Sequence, residues 1–311
     1  MRLSDERFPM NDFPMNDSIP VTRDLLRSMP LPHPGDSADK DGRGRVLVIG
    51  GSVEVPGAVL LAGTAALRAG AGKLQMATCR SVAPHLGLAV PEALVLGLHE
   101  TAEGGIAPDC VDTLCERAAR CTAVLIGPGM MDKLAVADLT GALIAGLDGE
   151  GGPVLVIDAE ALMGLDNANE ALCRRGGRTI ITPHAGEMAG LSGVSREEVE
   201  ADPPTAARRV ADLHKVIVVL KGACTHIATP DGRIWAYDGG NVGLATSGSG
   251  DTLAGVIAGL AARGADPAQA AIWGVHLHGE AGNRLARRGP LGFLARELLA
   301  QVPEIMAELS A

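Results

Sequence analysis

The residues Asn241-Val242-Gly243-Leu244-Ala245-Thr246-Ser247-Gly248-Ser249-Gly250-Asp251-Thr252-Leu253-Ala254-Gly255 are the strongest chemical signal in the chain. Four glycines fall within these fifteen residues, and the sustained apolar run begins only after Asp251. Leu253, Val256, Ile257 and Leu260 recur at i, i+3, i+4 and i+7, which is one stripe of a helix. A glycine loop therefore runs into a helix N-terminus, where free N–H groups and the helix dipole favour an anion such as a phosphate. Glycines let the backbone come close to that anion. Asp251, in the first helical turn, is out of place beside an anion unless it moves a proton or holds a metal. The plainer alternative is that Asp251 caps the helix. No Gly-Lys-Ser/Thr follows the glycines, so this is not a Walker A loop.

Other groups that could do chemistry sit where short apolar runs end. Gly50, Gly127, Asp158, Pro183-His184 and Lys221 all follow such runs. Thr182-Pro183-His184-Ala185-Gly186-Glu187 offers an imidazole for a substrate, or a structural histidine, with an acid suited to a helix start. Lys221-Gly222-Ala223-Cys224-Thr225 offers a cation, a pliable backbone and a hydroxyl for phosphates or a ribose, or simply a tight turn. Asp158 could reach a metal through water or cap a helix starting at Glu160. His276 and His278 point to different faces of one helix and read as structural. Cys224 has no adjacent base to make it a nucleophile.

The elements that must carry these groups alternate. Strands are expected at 45–49, 74–78, 93–96, 123–126, 153–157, 179–182 and 216–220. Helices are expected near 57–70, 110–120, 132–147, 160–175 and 204–214, and from about 268 onward. A hairpin joins 225–229 to 234–237 through Pro230-Asp231-Gly232. Uniformly apolar strands alternating with helices imply an α/β fold, with a central, mostly parallel sheet flanked by helices on both faces. Ligands bind along the carboxyl edge of such sheets, where the candidate residues lie. Residues 1–19, with Phe-Pro-Met-Asn-Asp written twice, read as a disordered or loosely attached tail; 20–311 read as one domain.

Composition narrows the function further. A net charge of −10 without a basic stripe argues against a nucleic-acid surface. Six cysteines without a Cys-x-x-Cys pair suit neither a zinc site nor a disulfide framework, and fit free thiols in a reducing cytoplasm. No uninterrupted apolar span or secretory signal is present, so no membrane role is expected. Aromatics are only 2%, so Ala, Val, Leu and Ile must fill the core.

Together these stretches resemble the ADP- or ATP-dependent NAD(P)H-hydrate dehydratases of the ribokinase-like superfamily, over about residues 20–308. The resemblance rests on Gly50-Gly51-Ser52 with Pro56-Gly57-Ala58, on Leu125-Ile126-Gly127-Pro128-Gly129 and on Val156-Ile157-Asp158-Ala159. It rests also on Thr182-Pro183-His184-x-Gly186-Glu187-Met188, Leu220-Lys221-Gly222-x-x-Thr225 and the Asn241–Gly255 loop. It departs in Met130-Met131 after Gly129, and in Ser247 where relatives often carry glycine. The resemblance implies repair of hydrated NADH or NADPH. A nucleoside phosphate, ADP rather than ATP, phosphorylates the 6-hydroxyl, and loss of phosphate restores the double bond. It implies Asp251 as base, with Ala58, Gly127, Gly129, His184 and Asp251 lining the hydrate. Lys221, Gly222, Ala223, Cys224, Thr225, Gly248, Ser249 and Gly250 would line the nucleotide. Mg²⁺, a homotetramer and a separate epimerase as functional partner are implied likewise. Two other readings compete: a ribokinase-like kinase of a vitamin precursor alcohol, and a nucleotide-binding regulator without turnover.

Overall fold

The structure, a computed structural model, describes residues 18–33, 42–147, 149 and 151–310. Most of the expected tail, residues 1–17, lies outside the described residues. Among the described residues ten strands form one sheet: β1 (Ile19–Pro20), β2 (Arg45–Ile49), β3 (Lys73–Cys79), β4 (Ala93–Leu98), β5 (Ala123–Ile126), β6 (Val154–Ile157), β7 (Thr179–Ile181), β8 (Ile217–Leu220), β9 (Thr225–Ala228) and β10 (Ile234–Tyr237). Their order is β1-β10-β9-β8-β7-β6-β5-β2-β3-β4. β2 to β8 pair in parallel, while β9 runs antiparallel to β8 and to β10. The sheet takes in Ile19, which pairs with Trp235, one residue before the expected start of the domain.

Val46 to Ile49, Val124 to Ile126 and Leu155 to Ile157 are all fully buried. Successive side chains of a strand point to opposite faces, so helices must cover both faces here. The buried apolar residues form one continuous cluster from Val21 to Leu309.

The site is positioned by the helix Ser249–Ala262, which begins at the glycine loop. Twelve of its residues are buried, so it runs through the core rather than over it. It packs along the helix Pro56–Arg68. A Cβ on Gly255 would stand 2.2 Å from the Ala62 carbonyl oxygen, and one on Gly259 would stand 2.3 Å from that of Ala66. Only glycine permits backbones this close, and small residues fill most of a core in which aromatics are few.

Strand order creates a crevice. β2 lies between β3 and β5, so the chain leaves β2 on one side and returns at β5 on the other. The loops after β2 and β5 diverge at this switch, the usual ligand position in open α/β sheets. They are tied together there, Gly51 N donating to Pro128 O at 2.7 Å and Gly127 N to Ile49 O at 3.1 Å.

The expected helix over 160–175 is broken. Short 3-10 turns occupy Ala159–Gly164 and Asp166–Ala168, and an α-helix covers only Asn169–Arg174. Gly164 is pressed against the helix Lys133–Gly146, where a Cβ would stand 2.6 Å from Thr140 Cβ. Asp166 and Asn167 then favour local turns over a regular helix. Three short helices among the described residues escape the periodicity argument because each has seven residues or fewer: Arg23–Ser28, Ala83–Ala89 and Arg196–Ala201; the helix expected to open at Glu187 is present as Ala185–Ser192.

Candidate active site

The helix Ser249–Ala262 starts at Gly248, whose φ of +85° places it in the left-handed region. Ser249 N donates to Thr246 O, and Thr252 N to Gly248 O. Among the described residues no acceptor takes the amides of Gly250 and Asp251. These two N–H groups at a helix start form the anion seat that the glycine spacing implies. Asp251 is not the cap: that position belongs to Gly248, and no side chain caps this helix. The carboxylate is free for another role.

Three carboxylates surround one lysine. Lys221 Nζ donates to Asp158 Oδ1 at 2.9 Å and lies 3.8 Å from Glu187 Oε2. Thr182 Oγ1 donates to the same Asp158 Oδ1 at 2.6 Å. A Cβ on Gly250 would stand 3.6 Å from Lys221 Nζ and 4.0 Å from Asp158 Oδ2, so the pair borders the anion seat. A Cβ on Gly248 would stand 4.0 Å from Asp251 Oδ2. Asp158 begins a 3-10 turn, yet its side chain makes no capping bond, so its expected capping role is absent.

Burial and the charge of Asp158 push the Asp251 carboxyl up to about 6, with Lys221 opposing them. Burial alone would depress the Lys221 ammonium, but Asp158, Glu187 and Asp251 together hold it above its usual range. A raised acid beside a firmly charged cation, at the edge of an anion seat, is the arrangement of a general base next to a phosphate site.

His184 caps the helix Ala185–Ser192 through Nδ1, which accepts from Gly186 N at 3.0 Å and Glu187 N at 3.1 Å. Glu187 completes the capping box by accepting from His184 N at 2.7 Å. An accepting Nδ1 places the proton of the neutral ring on Nε2, 3.5 Å from Glu187 Oε1. His184 itself is exposed. Lys221 N donates to Pro183 O at 2.8 Å, joining this turn to the lysine.

Ala58 and Gly129 meet at the crevice. A Cβ on Gly129 would stand 2.6 Å from both Ala58 Cβ and the Val55 carbonyl oxygen. Gly127 joins crevice to charge, since a Cβ there would overlap the Asp158 carbonyl. Gly222 and Ala223 are exposed in the β8–β9 turn, with Cys224 and Thr225 partly covered. That stretch is a tight turn, and its open backbone borders the lysine.

Two histidines correct the sequence reading. Cys224 has a ring beside it, with His226 Nε2 3.8 Å from Sγ. Burial and Asp238 nonetheless raise the thiol, and burial depresses His226, so no thiolate forms. His276 is structural as expected, packed edge-on to Tyr237. His278 is not remote: its Nε2 lies 2.9 Å from Ser249 Oγ in the glycine loop. Helical spacing alone could not show it, because the contact depends on two helices folding against each other.

The family model described as NAD(P)H-hydrate dehydratase matches residues 46–304. The ADP-dependent (S)-NAD(P)H-hydrate dehydratase of Xanthomonas campestris pv. campestris is 50% identical over 290 residues, covering 93% of this chain and 96% of that protein. Curated relatives called bifunctional NAD(P)H-hydrate repair enzymes are also matched, but the chain spans only about half of their length, 52% in the first of them. Among solved structures, a ribokinase-like superfamily protein from Enterococcus faecalis superposes with a TM-score of 0.81 at 25% identity, over 97% of this chain and 99% of that one. An ADP/ATP-dependent NAD(P)H-hydrate dehydratase from Bacillus subtilis, co-crystallized with ATP/Mg²⁺, gives 0.77 at 29% identity, over 94% and 99%.

Proposed function

The chain belongs to the NAD(P)H-hydrate dehydratase family, and from that premise we propose that it restores NADH and NADPH from their 6-hydroxy hydrates at the expense of ADP. The observation that carries the reading is Asp251, a half-buried acid raised to about 6 at the lip of two free helix-start amides. Hydroxide leaves poorly and phosphate leaves well. Asp251 takes the proton of the 6-hydroxyl while that oxygen bonds to the terminal phosphorus of ADP, releasing AMP. The C–O bond of the phosphate ester then breaks, a proton leaves the neighbouring carbon, and the C5–C6 double bond returns with free phosphate. Loss of Asp251 as base would cost roughly 10² to 10⁴ in rate. The Gly250 and Asp251 amides and Lys221 offset charge on the moving phosphoryl group.

The crevice of Ala58, Gly127 and Gly129, with His184, would take the hydrate. The turn Lys221–Thr225 and the loop Gly248–Gly250 would take the nucleotide. Mg²⁺ fits the corner: Asp158, Glu187 and Asp251 outnumber the Lys221 cation. Asp158 Oδ2, moreover, takes no hydrogen bond among the described residues. Such hard oxygens suit Mg²⁺, which when bound would neutralise phosphate charge. ADP is favoured over ATP by the name of the Xanthomonas relative, although the Bacillus structure holds ATP/Mg²⁺.

The six free cysteines fit a reducing cytoplasm, and no helix among the described residues is long and apolar enough to cross a membrane. Residues 20–311 act as one catalytic unit in this reading, as a homotetramer that works beside an epimerase activity. Incubation with ADP or ATP and hydrated NADH, followed by NADH absorbance, tests it. NADH should return with ADP; no return with either nucleotide overturns the reading.

A further inference from the structure

We propose that His278 is a positioning residue for the phosphate seat. Through its hydrogen bond to Ser249 it fixes the first turn of the glycine-loop helix, and so the aim of the Gly250 and Asp251 amides. The inference deepens the nucleotide reading above and rests on it.

The bonds that Ser249 N and Thr252 make to Thr246 and Gly248 hold the seat from within its own loop; His278 holds it from a second helix. Gly248 contributes no side chain, and the helix has no side-chain cap. Gly250 adds a second position without side-chain contacts. Two hydroxyls are buried in this turn: Thr252 Oγ1 donates to Gly248 O at 2.9 Å within the loop itself, whereas Ser249, 5% exposed, pairs with His278 Nε2 of another helix at 2.9 Å. His278 stands on the helix Pro267–Ala286, which also grips the start of the loop. There Asn283 Oδ1 accepts from Asn241 Nδ2 at 3.0 Å, and Asn283 Nδ2 donates to Gly239 O at 2.5 Å. Between these grips the loop backs onto the helix, where a Cβ on Gly282 would stand 2.6 Å from Leu244 Cδ2. One rigid helix thus clamps the loop at both ends, and the clamp at the phosphate end is His278.

The imidazole is suited to this because it stays neutral. Burial pushes it down to about 4, with a hydrogen bond to the Ser249 backbone opposing and the Lys221 charge assisting. A neutral ring holds Ser249 without adding a charge that would compete with Lys221 for the phosphate. An ordinary packing histidine would make no difference to nucleotide affinity; a brace acting through Ser249 must.

A double-mutant cycle separates the two. Calorimetric affinity for ADP with Mg²⁺, KM for each substrate and kcat would be measured for His278→Leu, Ser249→Ala and the double variant, with His278→Gln as conservative rescue. The loss of one net hydrogen bond predicts an ADP affinity about three- to tenfold weaker in each single variant. The double variant should be no weaker than either single, KM for the hydrate should hold, and Gln should restore most of the affinity. Losses that multiply in the double variant, or unchanged ADP affinity in His278→Leu, overturn the brace. If His278→Leu does not fold, Ser249→Ala and His278→Gln decide: unchanged affinity in the first, or a full loss in the second, overturns it. Wild-type protein that binds ADP but never restores NADH defeats the function reading while leaving the brace to these affinities.

Discussion

Two regions share the carboxyl edge of the sheet and are built in opposite ways. At the β6–β8 corner, side chains do the work: Asp158, Lys221, Glu187 and Thr182 form a bonded network facing Asp251. At the β2–β5 crevice, bare backbone does it: Gly51, Pro128 and Gly129 interlock with Ala58, without a charged side chain in the contact. A corner of charges can move protons and hold phosphate. A crevice of backbone and methyl groups can give a flat ring a surface without disturbing its chemistry. In the proposed function the contrast separates reaction from ring recognition, and the two regions join at Gly127, which touches the carbonyl of Asp158.

The largest effect that could break this division is on Asp251. Asp251→Asn keeps the shape, and since Asp251 caps nothing the helix should start normally. Turnover should fall by roughly 10² to 10⁴ while ADP binding survives. In the wild type, kcat/KM should rise with pH through about 6 as the carboxyl loses its proton. Near-normal turnover in Asp251→Asn would move the base to Asp158.

Lys221→Met comes next. A charge-assisted hydrogen bond is worth about 1.5–3 kcal/mol, so ADP affinity should fall roughly tenfold to a hundredfold, with much less change for the hydrate. Asp158, its side chain only 3% exposed, loses its cation, so the melting temperature should fall as well. Gly129→Val should show the crossed pattern. With φ at +66° and no room for a Cβ, the strain of about 1–3 kcal/mol falls on the crevice. The hydrate KM should rise while ADP affinity stays put. Equal losses of both ligands in either variant would dissolve the two-region account.

The smallest effect is on stability. The folded Asp251 carboxyl is pushed up to about 6 from its ordinary 3.8, so between these values folding takes up a proton. Its favourable contribution is full below 3.8 and erodes as pH rises through 6. At pH 8 the buried charge is a net cost, and Asp251→Asn should stabilise the chain by about 1–3 kcal/mol. That gain should vanish near pH 4. A thermal melt at the two pH values checks it.

Much of the edge was legible because polar residues punctuate apolar strands: Gly50, Gly127, Asp158, His184 and Lys221 each follow one. The glycine loop was legible because its spacing switches to a helical stripe after Asp251. Partnerships were not. Asp158 and Lys221 are 63 residues apart and meet only because β7 alone separates their strands. The switch between β2 and β5 depends on strand order, which periodicity does not encode. His278 reads as a core histidine until two helices fold together and bring it to Ser249. The helical span expected over 160–175 fails for a related reason, since contact with a distant helix decides Gly164.

The central claim is that phosphate, not hydroxide, leaves the nicotinamide ring. Hydrated NADH carrying ¹⁸O in its 6-hydroxyl, turned over with unlabelled ADP, tests it by mass spectrometry of the products. Attack of the hydroxyl on phosphorus followed by C–O cleavage puts the label in free phosphate. Label recovered in water, with none in phosphate, would mean direct dehydration and would contradict the account.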